Sequence, residues 1–192
     1  MGCAKGPDER YARLVTPSGT PSAVPSATPS VGSSVTVEEV PSASRAHLVS
    51  LLDLSFDGIY RWHARRTLPQ VRWVRRATRD GKAIGLTMLT TLAPDLGYVY
   101  YVAVLPAERG AGVGALLLED AMNALGSIGA REVLACIRGK NLPSIRLFRS
   151  KGFQPIGFRK LARTRGFWSA ARLWARMVVA PGEGVFHAAL AD

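Results

Sequence analysis

The sequence predicts a mixed α/β domain organised on a single sheet, and three observations lead there. The run Tyr98 to Val104 is apolar, aromatic and unbroken, as a strand buried on both faces should be. A basic glycine loop follows, Glu108-Arg109-Gly110-Ala111-Gly112-Val113-Gly114, and then a helix-like run from Ala115 to Met122. Behind that helix lies a second apolar strand, Glu132 to Ile137. A helical crossover makes it parallel to the first.

The 192 residues suggest one domain with appendages. A composition of 47% hydrophobic and 20% charged residues is ordinary for a folded protein. No apolar run approaches the length of a membrane-spanning helix. The net charge of +11, from 25 Lys+Arg against 14 Asp+Glu, suits polyanionic ligands. Of the two cysteines, Cys3 lies in a tail and Cys136 in an expected buried strand, so no disulfide is expected and a reducing cytoplasm is the default. No metal is expected.

Residues 1–34 read as a disordered tail. Pro17, Pro21, Pro25 and Pro29 recur every four residues among Ser, Thr and Ala, a composition with too little apolar surface to offset its ordering entropy. Met1-Gly2-Cys3 invites a lipidation reading, but Gly6 stands where that motif has Ser or Thr. The bland alternative is an over-long start. The folded domain is expected over residues 35–181, with a C-terminal tail at 182–192.

Within the domain, Val35 to Val40 alternates as a first strand, with Val35 and Val37 on its apolar face. Ser42 or Ser44 would cap a helix whose stripe is Leu48, Leu51, Leu52 and Leu54. From Arg61 to Arg79 there are seven arginines and no acid, interleaved with Trp62, His63 and Trp73. Such interleaving can bind single-stranded nucleic acid. The spacing better fits a solvated helix face leading into a strand, Val71 to Ala77. Asp80-Gly81 supplies a hairpin turn, and Ala83 to Leu92 returns toward Tyr98. After Ile137, Asn141 caps a short helix that Gly152 ends, with Pro143 in its first turn. Phe153 to Leu161 and Ala171 to Ala180 are expected as a closing β-hairpin, the second alternating Leu173, Ala175, Met177 and Val179.

The stretch between Tyr98 and Met122 has the geometry of an anion cradle. Strand, glycine loop and helix start present backbone N–H groups and a positive helix end to a phosphate, and Arg109 adds a forked donor. Gly110-x-Gly112-x-x-Ala115 also fits the dinucleotide fingerprint, with Glu132 downstream. That acid should end a strand, however, whereas Glu132 opens one. Val104-x-Pro106-x-x-Arg109-Gly110-x-Gly112-x-Gly114 instead resembles the acyl-CoA-binding motif of the GNAT N-acetyltransferase superfamily. Asn141, Ser144, Leu147, Gly152 and Phe153 match that family's second CoA-side motif, in order and register. The resemblance covers roughly residues 35–180.

The resemblance implies a GNAT acyltransferase fold: a mixed sheet of about six or seven strands, splayed in the middle and flanked by about four helices. It implies acetyl-CoA as acyl donor and an amine acceptor that attacks directly. Backbone groups near Val102 and Val104 would meet pantetheine and the thioester. The N–H groups of Arg109, Gly110, Ala111, Gly112, Val113 and Gly114 would bind pyrophosphate, with Asn141, Ser144 and Phe148 along the pantetheine arm. Arg138, Lys140 or Arg149 would meet the 3′-phosphate. Phe148 stands where the family usually carries a proton-donating Tyr, and no carboxylate base opens the central strand. Tyr98 and Tyr100 are the weak catalytic candidates, with His47 and His63 as further possible bases. The acceptor-side segments, residues 53–70 and 161–170, are arginine-rich, which disfavours polycationic acceptors. Homodimers are common in the family. Two other readings stand beside the enzyme: a catalytically degenerate CoA-binding domain, and a basic nucleic-acid-associated module built on Arg61–Arg79.

Overall fold

The computed structural model describes residues 34–178 and 180–190. The proline-rich segment and the Met1-Gly2-Cys3 start lie outside the described residues. One seven-stranded mixed sheet carries the fold, in the order β1-β2-β3-β4-β5-β7-β6. Strand β1 (Thr36–Glu39) pairs antiparallel with β2 (Trp73–Arg79). Between them lie α1 (Val49–Ser55) and α2 (Gly58–Thr67). Leu48, Leu51 and Leu52 are buried as the helical stripe requires, while Leu54 points out to solvent. Short 3₁₀ turns replace the expected serine cap, since neither Ser42–Ser44 nor Ala46–Leu48 carries a capping side chain.

The meander follows from its turn chemistry. Asp80 and Gly81 both take positive φ, 51° and 73°, which folds β2 onto β3 (Lys82–Ala93). Strand β3 in turn pairs with β4 (Leu96–Val104). The crossover helix α3 (Val113–Ser127) then delivers β5 (Glu132–Arg138) parallel to β4. Helix α3 and α4 (Leu142–Ser150) cover one face of the sheet. Leu118, Leu125, Val133 and Phe153 are fully buried there. On the opposite face, α1 and α2 cover the β2–β4 half.

One buried charge ties that half together. Arg45, 5% exposed, donates to the carbonyls of Val40, Leu68, Val71 and Arg72 at 3.3, 3.3, 2.6 and 3.1 Å. Its desolvation lowers the guanidinium pKa, and the four carbonyl acceptors offset that cost.

The C-terminal third departs from the sequence expectation. Only Gln154–Pro155 of the first expected hairpin strand is extended, as β6. The rest of the hairpin is helical, α5 (Phe158–Arg165) and α6 (Phe167–Met177). Ala170, Leu173 and Met177 are the buried positions, at spacings of three and four. The alternation of Leu173, Ala175 and Met177 is thus a by-product of a 3.6-residue period carried by strong helix formers. The expected tail at 182–192 is also corrected. Glu183–Ala189 forms β7, paired antiparallel with β5 from Arg138↔Glu183 to Glu132↔Ala189. It therefore lies inside the sheet between β5 and β6.

If β7 is a core strand, Phe186→Ala should lower unfolding stability by about 3–5 kcal/mol, as removal of a buried Phe does. Urea denaturation checks this, and a loss under about 0.5 kcal/mol, the size of a surface effect, would return the segment to a tail.

Candidate active site

The site begins where a ladder ends. Strands β4 and β5 pair for four residues only, Leu96↔Glu132 to Val99↔Ala135, although β4 runs on to Val104 and β5 to Arg138. At the same level β4 is bulged: Met88 pairs with Tyr101 and Leu89 with Val99, leaving Tyr100 as the extra residue. Beyond it the strands part.

The alternation of β4 determines what faces the gap. Leu105 N–H donates to the Ile84 carbonyl at 3.0 Å, on the β3 side. The polar groups of Val104 and Val102 therefore turn the other way, into the opening. The bulge also reverses the side-chain alternation. Tyr98, Tyr100 and Tyr101 all join the clusters under α1, α2, α5 and α6, while Val99 and Val102 join the one under α3 and α4.

The gap is closed at one end by the start of α3. Gly110 and Gly112 have φ of +82° and +81°, and Gly112 occupies the cap position of the helix. A Cβ at either glycine would meet no protein atom within 4 Å, so the space beside them is open. The N–H groups of Val113 and Gly114 lack intrahelical acceptors, and no side chain caps them. Gly114 is held small by α4, since a Cβ there would come within 3.3 Å of Leu147. A cleft of about 460 Å³ runs along this edge, lined by Val102, Val104, Arg109, Gly110, Gly112, Gly114, Asn141 and Ser144. Ala111 and Val113 are not among its lining residues; Val113 is buried beneath the helix.

Arg109 sits at the mouth, donating to the carbonyls of Val104 and Ser55, each at 3.3 Å. Its guanidinium thus braces the loop against the end of α1. Asn141 caps α4, its side-chain oxygen accepting from Ser144 N–H at 3.2 Å. Phe148 is 6% exposed and packs edge-on against Phe153 with ring centroids 5.0 Å apart. It can donate no proton.

Beside the cleft, and sharing Val102, Arg109, Asn141 and Ser144 with it, a cavity of about 620 Å³ reaches the tyrosines of the other face. Tyr98 is buried there and gives its hydroxyl proton to the Met177 carbonyl at 3.2 Å, and burial holds its pKa well above the ordinary phenol value. Tyr100 is half-buried and stacks edge-on against Tyr98 at 4.7 Å. Tyr101 hydroxyl and His63 Nδ1 lie 2.8 Å apart. Burial raises the phenol pKa and lowers that of the imidazole, so the pair is neutral near pH 7. Burial likewise pushes the Cys136 thiol up to about 12. His47, the other histidine candidate, is exposed and meets Arg76 at 2.8 Å, away from the cavity.

Sequence reading missed two lining residues, Tyr60 on α2 and Glu183 on β7. Burial, and then the neighbouring Glu183 carboxylate, push the Tyr60 phenol up to about 12. The signal for Glu183 was present: Pro181-Gly182 is a turn dipeptide followed by β-forming Val185 and Phe186.

Most of the basic segment has a structural use. Arg75 grips Asp120 with two bonds of 2.6 Å, Arg76 pairs with Glu38 and Arg79 with Glu108, and Arg65 lies 3.5 Å from Asp53. Arg72 lies over the Trp73 ring at 4.5 Å. Among the described residues no group of three or more His, Cys, Asp and Glu is placed to hold a metal, and no helix is long and apolar enough to cross a membrane.

A sheet parted beside a glycine-led, uncapped helix is the arrangement the GNAT resemblance implies. The acetyltransferase (GNAT) family model matches residues 38–153, more than half of the chain, and this chain belongs to that family. A mycothiol acetyltransferase from Thermomonospora curvata is 37% identical over 78 residues, which are 40% of this chain and 26% of that protein. The chain thus spans about a quarter of that relative. Among solved structures, an IAA acetyltransferase from Bacillus cereus superposes with a TM-score of 0.61 at 18% identity, covering 82% of this chain and 100% of that one. A GNAT family acetyltransferase from Elizabethkingia anophelis, solved with acetyl-CoA bound, gives 0.61 at 13% identity, covering 81% and 98%. These two establish the fold.

The depressed His63 pKa has a sign. As pH falls through about 6.5 the unfolded chain takes up this proton first. The folded state is therefore favoured above that pH and loses stability below it. The His63 Cε1–H resonance should titrate with a midpoint below 6.5; a midpoint above it would contradict the burial account.

Proposed function

We propose that the chain transfers an acetyl group from acetyl-CoA to a primary amine, by direct attack in a ternary complex. One observation carries this reading: a strand edge that β5 leaves uncovered, Val102 to Val104, lies beside an uncapped helix start. Strand groups that no neighbouring strand covers suit the amides of a pantetheine arm, and open N–H groups with a positive helix end suit a pyrophosphate. No acid stands in the first turn of α3 to repel it. The residues therefore fit the donor. The edge at Val102 and Val104 would hold the arm, with Asn141 and Ser144 across the cleft. The turn from Gly110 through Gly114 would hold the diphosphate, and Arg138, Lys140 or Arg149 the 3′-phosphate. Arg109 supports the loop and adds positive charge.

For chemistry, N–H groups of the strand edge stabilise the developing oxyanion. Phe148 leaves the departing sulfur without a side-chain acid. That loss is tolerable because a thiol near pKa 8.5 leaves readily as thiolate, whereas acid–base catalysis typically adds about 10²–10⁴-fold. Of the two tyrosine candidates, Tyr100 is the better, since Tyr98 has its proton engaged. The cytoplasm and a homodimer belong to this reading on the sequence and the resemblance. A second reading, a domain that holds CoA without turnover, is favoured by Phe148 alone and is separated by thiol release in the presence of amines.

Gly112→Asp forces a side chain into left-handed backbone at a cost of about 1–2 kcal/mol and sets a carboxylate against the anion. Calorimetry should show micromolar acetyl-CoA binding by the parent, weakened about 100-fold or more by the change. An unchanged affinity would remove the cradle from this account.

A further inference from the structure

We propose that Glu183 is the acceptor-side carboxylate, receiving the amine as its ammonium and taking a proton from it, in a cavity whose aromatic wall selects a primary amine on an apolar stem. This rests on the transferase reading above and specifies its missing half.

The placement comes from the corrected strand. Glu183 is the first residue of β7, opposite Arg138 of β5, and shares a strand face with Val185. That face is the one occupied by Tyr98, Leu134 and Cys136. The turn before it is fixed by Gly182 at φ +83°, and Ala180 N–H donates to Glu183 Oε2 at 3.3 Å. The carboxylate is half-buried at the cavity wall, which Tyr60 also lines. Its charge is felt across the chamber: second to burial, it favours the protonated forms of Tyr60, His63, Tyr98, Tyr101 and Cys136, although burial still leaves the His63 pKa lowered. These groups lie on α2, β4 and β5, so a cation placed among them meets one common carboxylate.

The other charges at this cavity are differently engaged. Asp53 lies 3.5 Å from Arg65, and Asp57 is exposed at the start of α2. Arg61 and Lys140 are exposed at its rim. Arg138 leans over the Tyr60 ring at 5.9 Å.

Six aromatic side chains contribute to the wall, beside apolar Leu54, Ile137 and Met177. Phe56, Tyr60, Tyr98, Tyr100, Tyr101 and Phe148 line the chamber, which shares part of its lining with the donor cleft. Ring faces attract a cation and cover an apolar stem. A polyamine would need further carboxylates, and an amino acid would bring its own carboxylate toward Glu183.

The proton balance is complete without another reagent. An ammonium N–H bond breaks and its proton passes to the Glu183 carboxylate. The freed nitrogen lone pair forms the C–N bond at the thioester carbon, and the C–S bond breaks with its electrons on sulfur. The second proton of the attacking nitrogen ends on that sulfur, and Glu183 releases its proton to water.

The test compares parent and Glu183→Gln by thiol release from acetyl-CoA with phenethylamine, glutamate and spermidine, across pH. The parent should favour phenethylamine at least about 10-fold in kcat/KM. Glu183→Gln should lower that value about 100-fold, the scale of lost proton transfer, and remove the acid limb of its pH profile. Its acetyl-CoA affinity by calorimetry should stay within about twofold, inside the tenfold that 1.4 kcal/mol represents. If Glu183→Gln does not fold, Glu183→Asp carries the test, with reduced kcat and the acid limb retained. Activity of Glu183→Gln within threefold of parent, preference for glutamate or spermidine, or no turnover of any amine by acetyl-CoA-binding protein would overturn the proposal. Failure of folded parent to bind acetyl-CoA would overturn the transferase reading and this one with it.

Discussion

The structure depends on a hydrogen-bond ladder that stops early. Strands β4 and β5 share four paired residues and then diverge, with Tyr100 bulged out at that point. Parallel strands inside a sheet ordinarily pair along their length, because an unpaired strand edge leaves backbone groups to be satisfied elsewhere. Here the edge from Tyr100 to Val104 borders a cleft and a cavity that share part of their lining. The glycine loop, the start of α3 and the tyrosines of β4 are arranged around that interruption.

The bulge acts twice. It ends the ladder, and it shifts the side-chain alternation so that Tyr98, Tyr100 and Tyr101 share one face. Without it, Tyr101 would point under α3 and α4, where Val99 and Val102 pack. The sheet thus separates two environments. The side of α3 and α4 offers backbone donors, glycines and space, whereas the side of α1, α2, α5 and α6 offers phenols, a neutral imidazole, a neutral thiol and a half-buried carboxylate. Buried groups there are held in their uncharged forms by desolvation. Glu183 and Arg138 bring charge to the same wall.

The glycine loop, the start of α3 and the cap of α4 were legible in the sequence because their signals are local. Glycines at positive φ, a proline that ends a strand and an asparagine cap each impose their conformation within a few residues. The meander was legible for the same reason, through Asp80-Gly81. The C-terminal third was not. Leu173, Ala175 and Met177 satisfy a two-residue and a near-helical period together, and only packing of Ala170, Leu173 and Met177 against the sheet decides between them. Reading α6 as a strand pushed the real internal strand β7 into a supposed tail, and with it Glu183. The basic segment was ambiguous in the same way, because ion pairs such as Arg75–Asp120 join residues 45 apart in the chain.

The central claim is that a donor's pantetheine and diphosphate occupy the unpaired β4 edge and the start of α3. Amide ¹H–¹⁵N spectra of labelled protein titrated with acetyl-CoA test it residue by residue. The account predicts the largest shifts at Val102, Val104, Gly112, Val113 and Gly114, with smaller ones at Asn141 and Ser144. Shifts confined to the β1–β2 edge or to Arg61–Arg79, with the β4 edge unmoved, would contradict it.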